Sequence, residues 1–187
     1  MLTKIVTLAA LAAVPALATP AVNVYWGQKG DGESERLRAY CDAPGFDYVT
    51  VGFVNRAPSQ DESGSGYPGT NFGSFCDAIY YKHNGVNTNL NSECGVISAD
   101  IRYCQGKGKK VLLSIGGTFA QDSDYTIRSG DEAKAFADFI WGAYGPYTPA
   151  WGSKPRPFDD LYIADEGEEH FVFDGFDFDL EHQFSEF

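Results

Sequence analysis

The sequence is 187 residues long, 43% hydrophobic and 21% charged, which fits one globular domain and excludes a disordered chain. Its formal net charge of −12, from 14 basic against 26 acidic side chains, argues against a surface that tracks nucleic-acid phosphates and against attraction to an anionic membrane. Aromatic residues reach 15%, a supply suited to stacking on apolar or sugar faces.

The chain opens on a short basic start, Met1–Lys4, followed by an apolar stretch, Ile5–Leu17, broken only by Thr7 and Pro15. Ala16-Leu17-Ala18 has the small-x-small pattern of a cleavage site, so residues 1–18 are expected to be a secretory leader removed before Thr19. The apolar run is shorter than the roughly 20 residues a membrane-spanning helix needs. A secreted, extracellular chain is a setting for disulfides. The four cysteines, Cys41, Cys76, Cys94 and Cys104, suggest two of them, with three pairings open. No Cys-x-x-Cys or clustered histidine supports a zinc site instead, and no Asn-x-Ser/Thr sequon occurs.

Beyond the leader, strand-like and helix-like segments alternate. Ala21–Trp26 is a β-branched run ending at Gly27, and Glu33–Cys41 has helical character. Asp47–Asn55 is a second strand, rich in Val and Phe. Ser98–Gln105 reads as a helix capped by Ser98 and stopped by Gly106-Lys107-Gly108. Lys109–Gly117 is a third strand ending in a glycine turn. Ser129 and Glu132 have the spacing of a capping box, and Phe136, Phe139, Ile140 and Ala143 then form one helical stripe up to Gly145-Pro146. Phe171–Glu181 is a fourth strand. This alternation predicts an α/β fold with a parallel sheet. Arg56–Gly95 and Pro146–Glu169 read as long loops, of the size usually functional or mobile.

The sharpest chemistry lies in Asp174-Gly175-Phe176-Asp177-Phe178-Asp179-Leu180-Glu181. Strand alternation puts Asp177, Asp179 and Glu181 on one face, in steps of about 6.6 Å. Phe176, Phe178 and Leu180 take the other face, where an outer layer of helices would bury them. Three carboxylates in one pocket raise one another's pKa, which would keep one protonated as a general acid requires. On these residues three readings stay open: catalytic carboxylates, a hard-cation site without the glycine of an EF-hand loop, or a structural strand.

Asp174–Glu181 matches the Asp-x-x-Asp-x-Asp-x-Glu signature of glycoside hydrolase family 18, the retaining chitinases. Ser114-Ile115-Gly116-Gly117 resembles that family's Ser-x-Gly-Gly, and Asn23-Val24-Tyr25-Trp26-Gly27-Gln28 resembles the first strand of its class III, hevamine-like branch. The likeness runs from about Val22 to Glu181 in the family's order, and the four cysteines fall where that branch has them. It implies a (β/α)8 barrel with its site at the C-terminal ends of the strands. It also implies an endochitinase acting on chitin or chito-oligosaccharide by a substrate-assisted mechanism. Glu181 would be the general acid and Asp179 would orient the sugar's acetamido group. Asp177 would share a proton with Asp179, and Asp174, off the parity of the others, would support the strand. Tyr25, Gln28, Asn71 and Gly117 would meet bound sugar. The disulfides implied are Cys41–Cys104 and Cys76–Cys94. Neither a metal nor an organic cofactor is implied, and a complete protein of this kind is expected to be a monomer.

The sequence departs from that pattern in length. Without an 18-residue leader it falls well short of the about 250 residues of such a barrel, and only four strands can be identified. It is therefore expected to be the N-terminal half, strands one to four, of an incomplete (β/α)8 barrel. The family's tyrosine near strand six and tryptophan at strand eight are absent. Unpaired strand edges would leave apolar surface exposed. Asp159–Glu169 reads as additional acidic sequence ahead of the fourth strand. The isolated chain is expected to hydrolyse chitin poorly, and the alternative function is a non-catalytic or vestigial carbohydrate-binding protein on part of the same scaffold.

Overall fold

Alternation along each strand sorts the sheet into an apolar face and a polar one. The computed structural model describes residues 21–28, 35–76, 79–120, 123–160 and 170–181; the leader expected over residues 1–18 lies outside them. Strands β1 (Asn23–Trp26), β2 (Tyr48–Arg56), β6 (Lys110–Gly117) and β7 (Gly175–Leu180) are parallel, in the order β1-β2-β6-β7. Helices α1 (Leu37–Cys41), α2 (Gly95–Gly106) and α3 (Gly130–Tyr144) lie in the connections between successive parallel strands. Val49 and Val51 of β2 and Val111, Leu113 and Ile115 of β6 are buried in one core with Leu37, Ile97, Ile101 and Ile140 of the helices. Between them in sequence, Thr50 and Ser114 are polar and fully buried on the opposite face. There Asn23 Nδ2 donates to Thr50 Oγ1 at 2.8 Å. Among the described residues β1 pairs only with β2, and β7 only with β6.

Backbone approach between β6 and β7 depends on one glycine. Gly116 pairs with Asp179 at φ +122°, and a Cβ there would lie 2.0 Å from the Asp179 carbonyl oxygen. Any side chain would push the two strands apart.

The expected elements are present, with different bounds. β1 and β7 are shorter than the apolar runs that suggested them, and α1 begins, among the described residues, at Leu37. Ser98 does not cap α2. The helix starts one turn earlier, after Cys94, whose N–H donates to the Pro157 carbonyl at 2.9 Å, and Ser98 is buried inside it. The Ser129 hydroxyl accepts from Glu132 N at 3.1 Å, as a capping box requires. The Glu132 carboxylate instead accepts from Arg128 N at 2.6 Å and Ser59 N at 3.2 Å, tying α3 to the segment after β2. Both disulfides form, Cys41–Cys104 between α1 and α2 and Cys76–Cys94.

Arg56–Gly95 is not an unstructured loop. β3 (Gly69–Thr70) runs antiparallel to β2, and β4 (Tyr80–His83) and β5 (Val86–Asn91) form a hairpin. Its turn is Asn84-Gly85, with φ of 50° and 82°, the pair of positive values a type I′ turn needs. Of the second expected loop, the described part carries a 3-10 turn at Pro149–Trp151 and a fully buried Phe158. Of the acidic stretch Asp159–Glu169, residues 161–169 lie outside the described set, and Asp159 and Asp160 serve the fold. Asp159 pairs with the buried Arg156, which also donates to the carbonyls of Gly142, Gly145 and Phe171. Arg156 thereby satisfies the carbonyl end of α3, which lacks helical partners, and joins it to the lead into β7.

Three substitutions test this account by urea denaturation. Gly116→Ala should lower stability by about 2 kcal/mol or more. Gly130→Ala, where the structure has open space at the first turn of α3, should leave it unchanged or slightly raised. Arg156→Met, which removes the guanidinium paired with the buried Asp159 and leaves that carboxylate only its Phe171 N and His170 contacts, should cost about 3–5 kcal/mol.

Candidate active site

Side chains from the two outermost of the four parallel strands meet above the sheet. Tyr25 of β1 donates its hydroxyl to Asp177 Oδ2 of β7 at 2.7 Å, and Ser114 of β6 donates to the same oxygen at 2.8 Å. In a flat sheet β1 and β7 would stand three strand spacings, about 14 Å, apart. The sheet is therefore curled, with these polar side chains on its concave face.

The rest of the acidic row follows the alternation. Asp179 lines a cleft along β1 with Tyr25 and Phe53. Glu181, exposed just past the end of β7, lines a polar cleft of about 980 Å³ together with Gln28, Asn55, Asn71 and Gly116. All of these stand at the carboxyl ends of the parallel strands, where open α/β sheets carry their sites. Gln28 is held by its Nε2, which donates to the Gly52 carbonyl at 3.0 Å and the Asn71 carbonyl at 2.9 Å. Asn71 is fixed by a two-way backbone pair with Phe53 (2.8 and 2.9 Å), and its Oδ1 accepts from Gly73 N at 2.9 Å. Among the described residues no group of three or more His, Cys, Asp or Glu side chains is arranged to hold a metal ion.

No family model matches this sequence. Endochitinase A of Aspergillus niger is 44% identical to it over 174 residues, 92% of this chain and 13% of that protein. Endochitinase A1 of Aspergillus fumigatus is 44% identical over 183 residues, 96% of this chain and 20% of its own length. The chain is a relative of the fungal endochitinases. It spans a fifth or less of the length of these two relatives. Among solved structures, a chitinase from Ipomoea carnea superposes with a TM-score of 0.58 at 27% identity, over 88% of this chain and 47% of that one. A xylanase and alpha-amylase inhibitor protein from Scadoxus multiflorus gives 0.60 at 26% identity, over 88% and 46%. The fold is thus an α/β fold with a parallel sheet, similar to chitinases and to chitinase-like proteins, and the chain covers about half of these neighbours.

Within this endochitinase relative, the residues expected at the site are unevenly placed. Gln28, Asn71 and Glu181 share the polar cleft, while Tyr25, Asp177 and Asp179 gather beside it. Gly117 does not line the polar cleft: the Phe53 ring would be 3.2 Å from a Cβ there, and Gly116 lines the cleft instead. Asp174 points elsewhere and binds β7 to its neighbours, accepting from Lys110 Nζ at 2.8 Å, Val111 N at 2.9 Å and Gln105 Nε2 at 3.0 Å. Burial raises the pKa of its carboxyl, but the Lys110, Val111 and Gln105 donors outweigh this and hold it below the ordinary value. The outer face differs from expectation: Phe176 is half-buried near Trp141 of α3, but Phe178 and Leu180 are 67% and 50% exposed. Among the described residues α3 is the helix beside β7 on this face, and it leaves the end of that strand uncovered.

Tyr125 was not legible as a site residue. It is buried, donates its hydroxyl to the Gly117 carbonyl at 3.0 Å, and accepts from Glu181 N at 2.8 Å. It lies in the irregular stretch between β6 and α3, where no periodicity marks it.

The Tyr25 phenol is pushed up to about 12 from its ordinary 10.0, first by loss of solvent, then by the Asp177 hydrogen bond and the charges of Asp177 and Asp179. Ser114 opposes this weakly. Because the unfolded phenol ionises first, the stabilisation from this contact is complete below pH 10 and is lost as pH rises toward 12. The tyrosinate absorbance of the protein minus that of Tyr25→Phe should therefore titrate near pH 12, and in Asp177→Asn should move toward 10. A midpoint near 10 in both proteins would contradict the assignment.

Proposed function

We propose that this chain carries strands one to four of a glycoside hydrolase family 18 catalytic barrel of the class III type. The enzyme is a secreted endochitinase cleaving β-1,4 linkages of N-acetylglucosamine with retention. The observation that carries this reading is the row Asp177, Asp179, Glu181 on the concave face of β7, graded from a side chain tied by two hydroxyls to one exposed at the polar cleft. Identity to endochitinases over most of the chain supports the same chemistry.

In the mechanism Glu181 donates its proton to the glycosidic oxygen as the bond to the anomeric carbon breaks. The carbonyl oxygen of the substrate's own acetamido group attacks that carbon, giving an oxazolinium intermediate. Asp179 accepts from the acetamido N–H and steadies the positive charge, with Asp177 as its proton-sharing neighbour. Water then attacks the anomeric carbon from the side the leaving group vacated, and the Glu181 carboxylate takes its proton. Tyr25 and Ser114, both donating to Asp177 Oδ2, fix that carboxylate so that it can hold its place beside Asp179. No metal or organic cofactor enters, because the substrate supplies the nucleophile.

Four strands contribute the acid and its neighbouring carboxylates but only part of the wall around a sugar, so these 187 residues alone are expected to be a weak catalyst. A second reading, carbohydrate binding without turnover, is favoured by the likeness to an inhibitor protein of the same fold. Release of chitobiose from chito-oligosaccharides distinguishes the two. The catalytic reading expects turnover, however slow, that falls by about 10²-fold or more in Glu181→Gln while binding persists. Binding without turnover in the unaltered protein would favour the second.

A further inference from the structure

The polar cleft extends well beyond the acidic row. Its far wall is the β4–β5 hairpin, from which Tyr80, Asn87, Asn89 and Asn91 line the same continuous space as Glu181. Period-two alternation aligns the three asparagines: Leu90 is fully buried in the core, and Asn87, Asn89 and Asn91 share the opposite parity of β5, with Thr88 also reaching the lining. By strand rise the row spans about 13 Å, longer than a single pyranose ring. It is graded in burial. Asn91 is buried and accepts from Thr70 Oγ1 at 2.9 Å, Asn89 is half-buried, and Asn87 is exposed.

These amides are positioned with capacity to spare. Asn89 Oδ1 accepts from Arg56 at 3.3 Å and its Nδ2 donates one hydrogen to the Gln60 carbonyl at 3.1 Å. One lone pair and one N–H remain. The Asn87 side chain makes no hydrogen bond to a described residue. In the cleft lining Asn55 Oδ1 is buried without a partner among the described residues, a cost that a bound donor would relieve. The charge of the lining is equally informative. Among the described residues Arg56 is its one cation and Glu181 its one anion, and Arg56 already serves Asn89. A cleft walled by amides and hydroxyls with so little charge fits a neutral ligand bearing hydroxyl and amide groups, and not a phosphate, a polyamine or an acidic peptide.

We infer that the β4–β5 hairpin is a second sugar-binding wall, on which Asn87 and Asn89, beside Tyr80, hold those units of an N-acetylated oligosaccharide that lie away from the bond at Glu181. The inference rests on the chitinase reading and adds to it: the hairpin sets how strongly affinity grows with oligomer length. Amide groups donate and accept at once, so each can meet either the hydroxyls or the acetamido groups of successive units. The ring of Tyr80 offers an apolar surface beside them.

Calorimetric titration with chito-oligosaccharides from dimer to hexamer, in a Glu181→Gln background that prevents consumption of the ligand, tests it. Asn87→Ala should weaken the hexamer by about 3- to 10-fold, the worth of one hydrogen bond, and leave the dimer within twofold. Because Asn87 has no bond to lose, its thermal midpoint should not move. Asn89→Ala should act in the same direction, read against its own thermal midpoint since it forfeits the Arg56 and Gln60 contacts. Equal weakening at every length would place Asn87 near the reacting bond and overturn the inference. Unchanged affinities in both variants, with the unaltered hairpin still binding longer oligomers better, would overturn it while leaving the chitinase reading standing. Failure of any oligomer to bind would overturn both.

Discussion

A single carboxylate oxygen joins three of the four parallel strands. Asp177 Oδ2 accepts from Tyr25 on β1 and Ser114 on β6 while belonging to β7, and these contacts close only if the sheet is curled. Curling gives the sheet an inside, and the strand parity of β7 then puts Asp179 and Glu181 on that inside as well. Each step of two residues along β7 moves toward the carboxyl ends of the strands. Asp177 is consequently held by two hydroxyls, whereas Glu181 emerges at the cleft. Three carboxylates are thus separated into different environments by nothing more than their height on one strand.

The height and direction of Glu181 are set through the main chain. β6 ends at Gly117 and β7 at Leu180, so the ladder has no further partner for the Glu181 N–H. Tyr125 continues it with a phenol: the hydroxyl accepts from that N–H and donates to the Gly117 carbonyl. Below this bridge, the absence of a side chain at Gly116 lets the Asp179 backbone approach. The pair Ser114 and Gly116 thus has two separate jobs, a hydroxyl for Asp177 and a vacancy for Asp179, both on the inward parity of one strand.

The parallel strands and the acidic row were legible because both depend on period-two alternation, which survives in a single sequence. What escaped depends on tertiary context. Ser98 looked like a cap, but Cys94 is pinned by its disulfide to Cys76 and by its hydrogen bond to Pro157, and the helix starts from that anchor. Gly116 and Gly117 are indistinguishable as letters; the register of β6 against β7 decides which one faces the cleft. The hairpin had a readable signal in Asn84-Gly85, yet the surrounding Asn, Ser and Gly residues resemble loop composition. Its strand character comes from the burial of Thr88 and Leu90. Tyr125 carried no local signal, since its role consists of two contacts to distant backbone.

The parity that builds the acidic row also creates the outer row of Phe176, Phe178 and Leu180. Removing a side chain of this size from water is worth about 1.5–3 kcal/mol, a gain left largely unrealised at Phe178 and Leu180. They border an apolar groove of about 480 Å³ with Ile115, Ile127 and Phe136. At the other edge of the sheet, β1 borders a second largely apolar cleft of about 670 Å³, lined by Val24, Trp26, Leu37 and Phe46. Open apolar surface therefore collects at the two edge strands, while the space between them, over the concave face and the hairpin, is polar. Strand edges with apolar flanks invite association. The curled sheet thus separates its surfaces, apolar along the two edge strands and polar in the cleft between them.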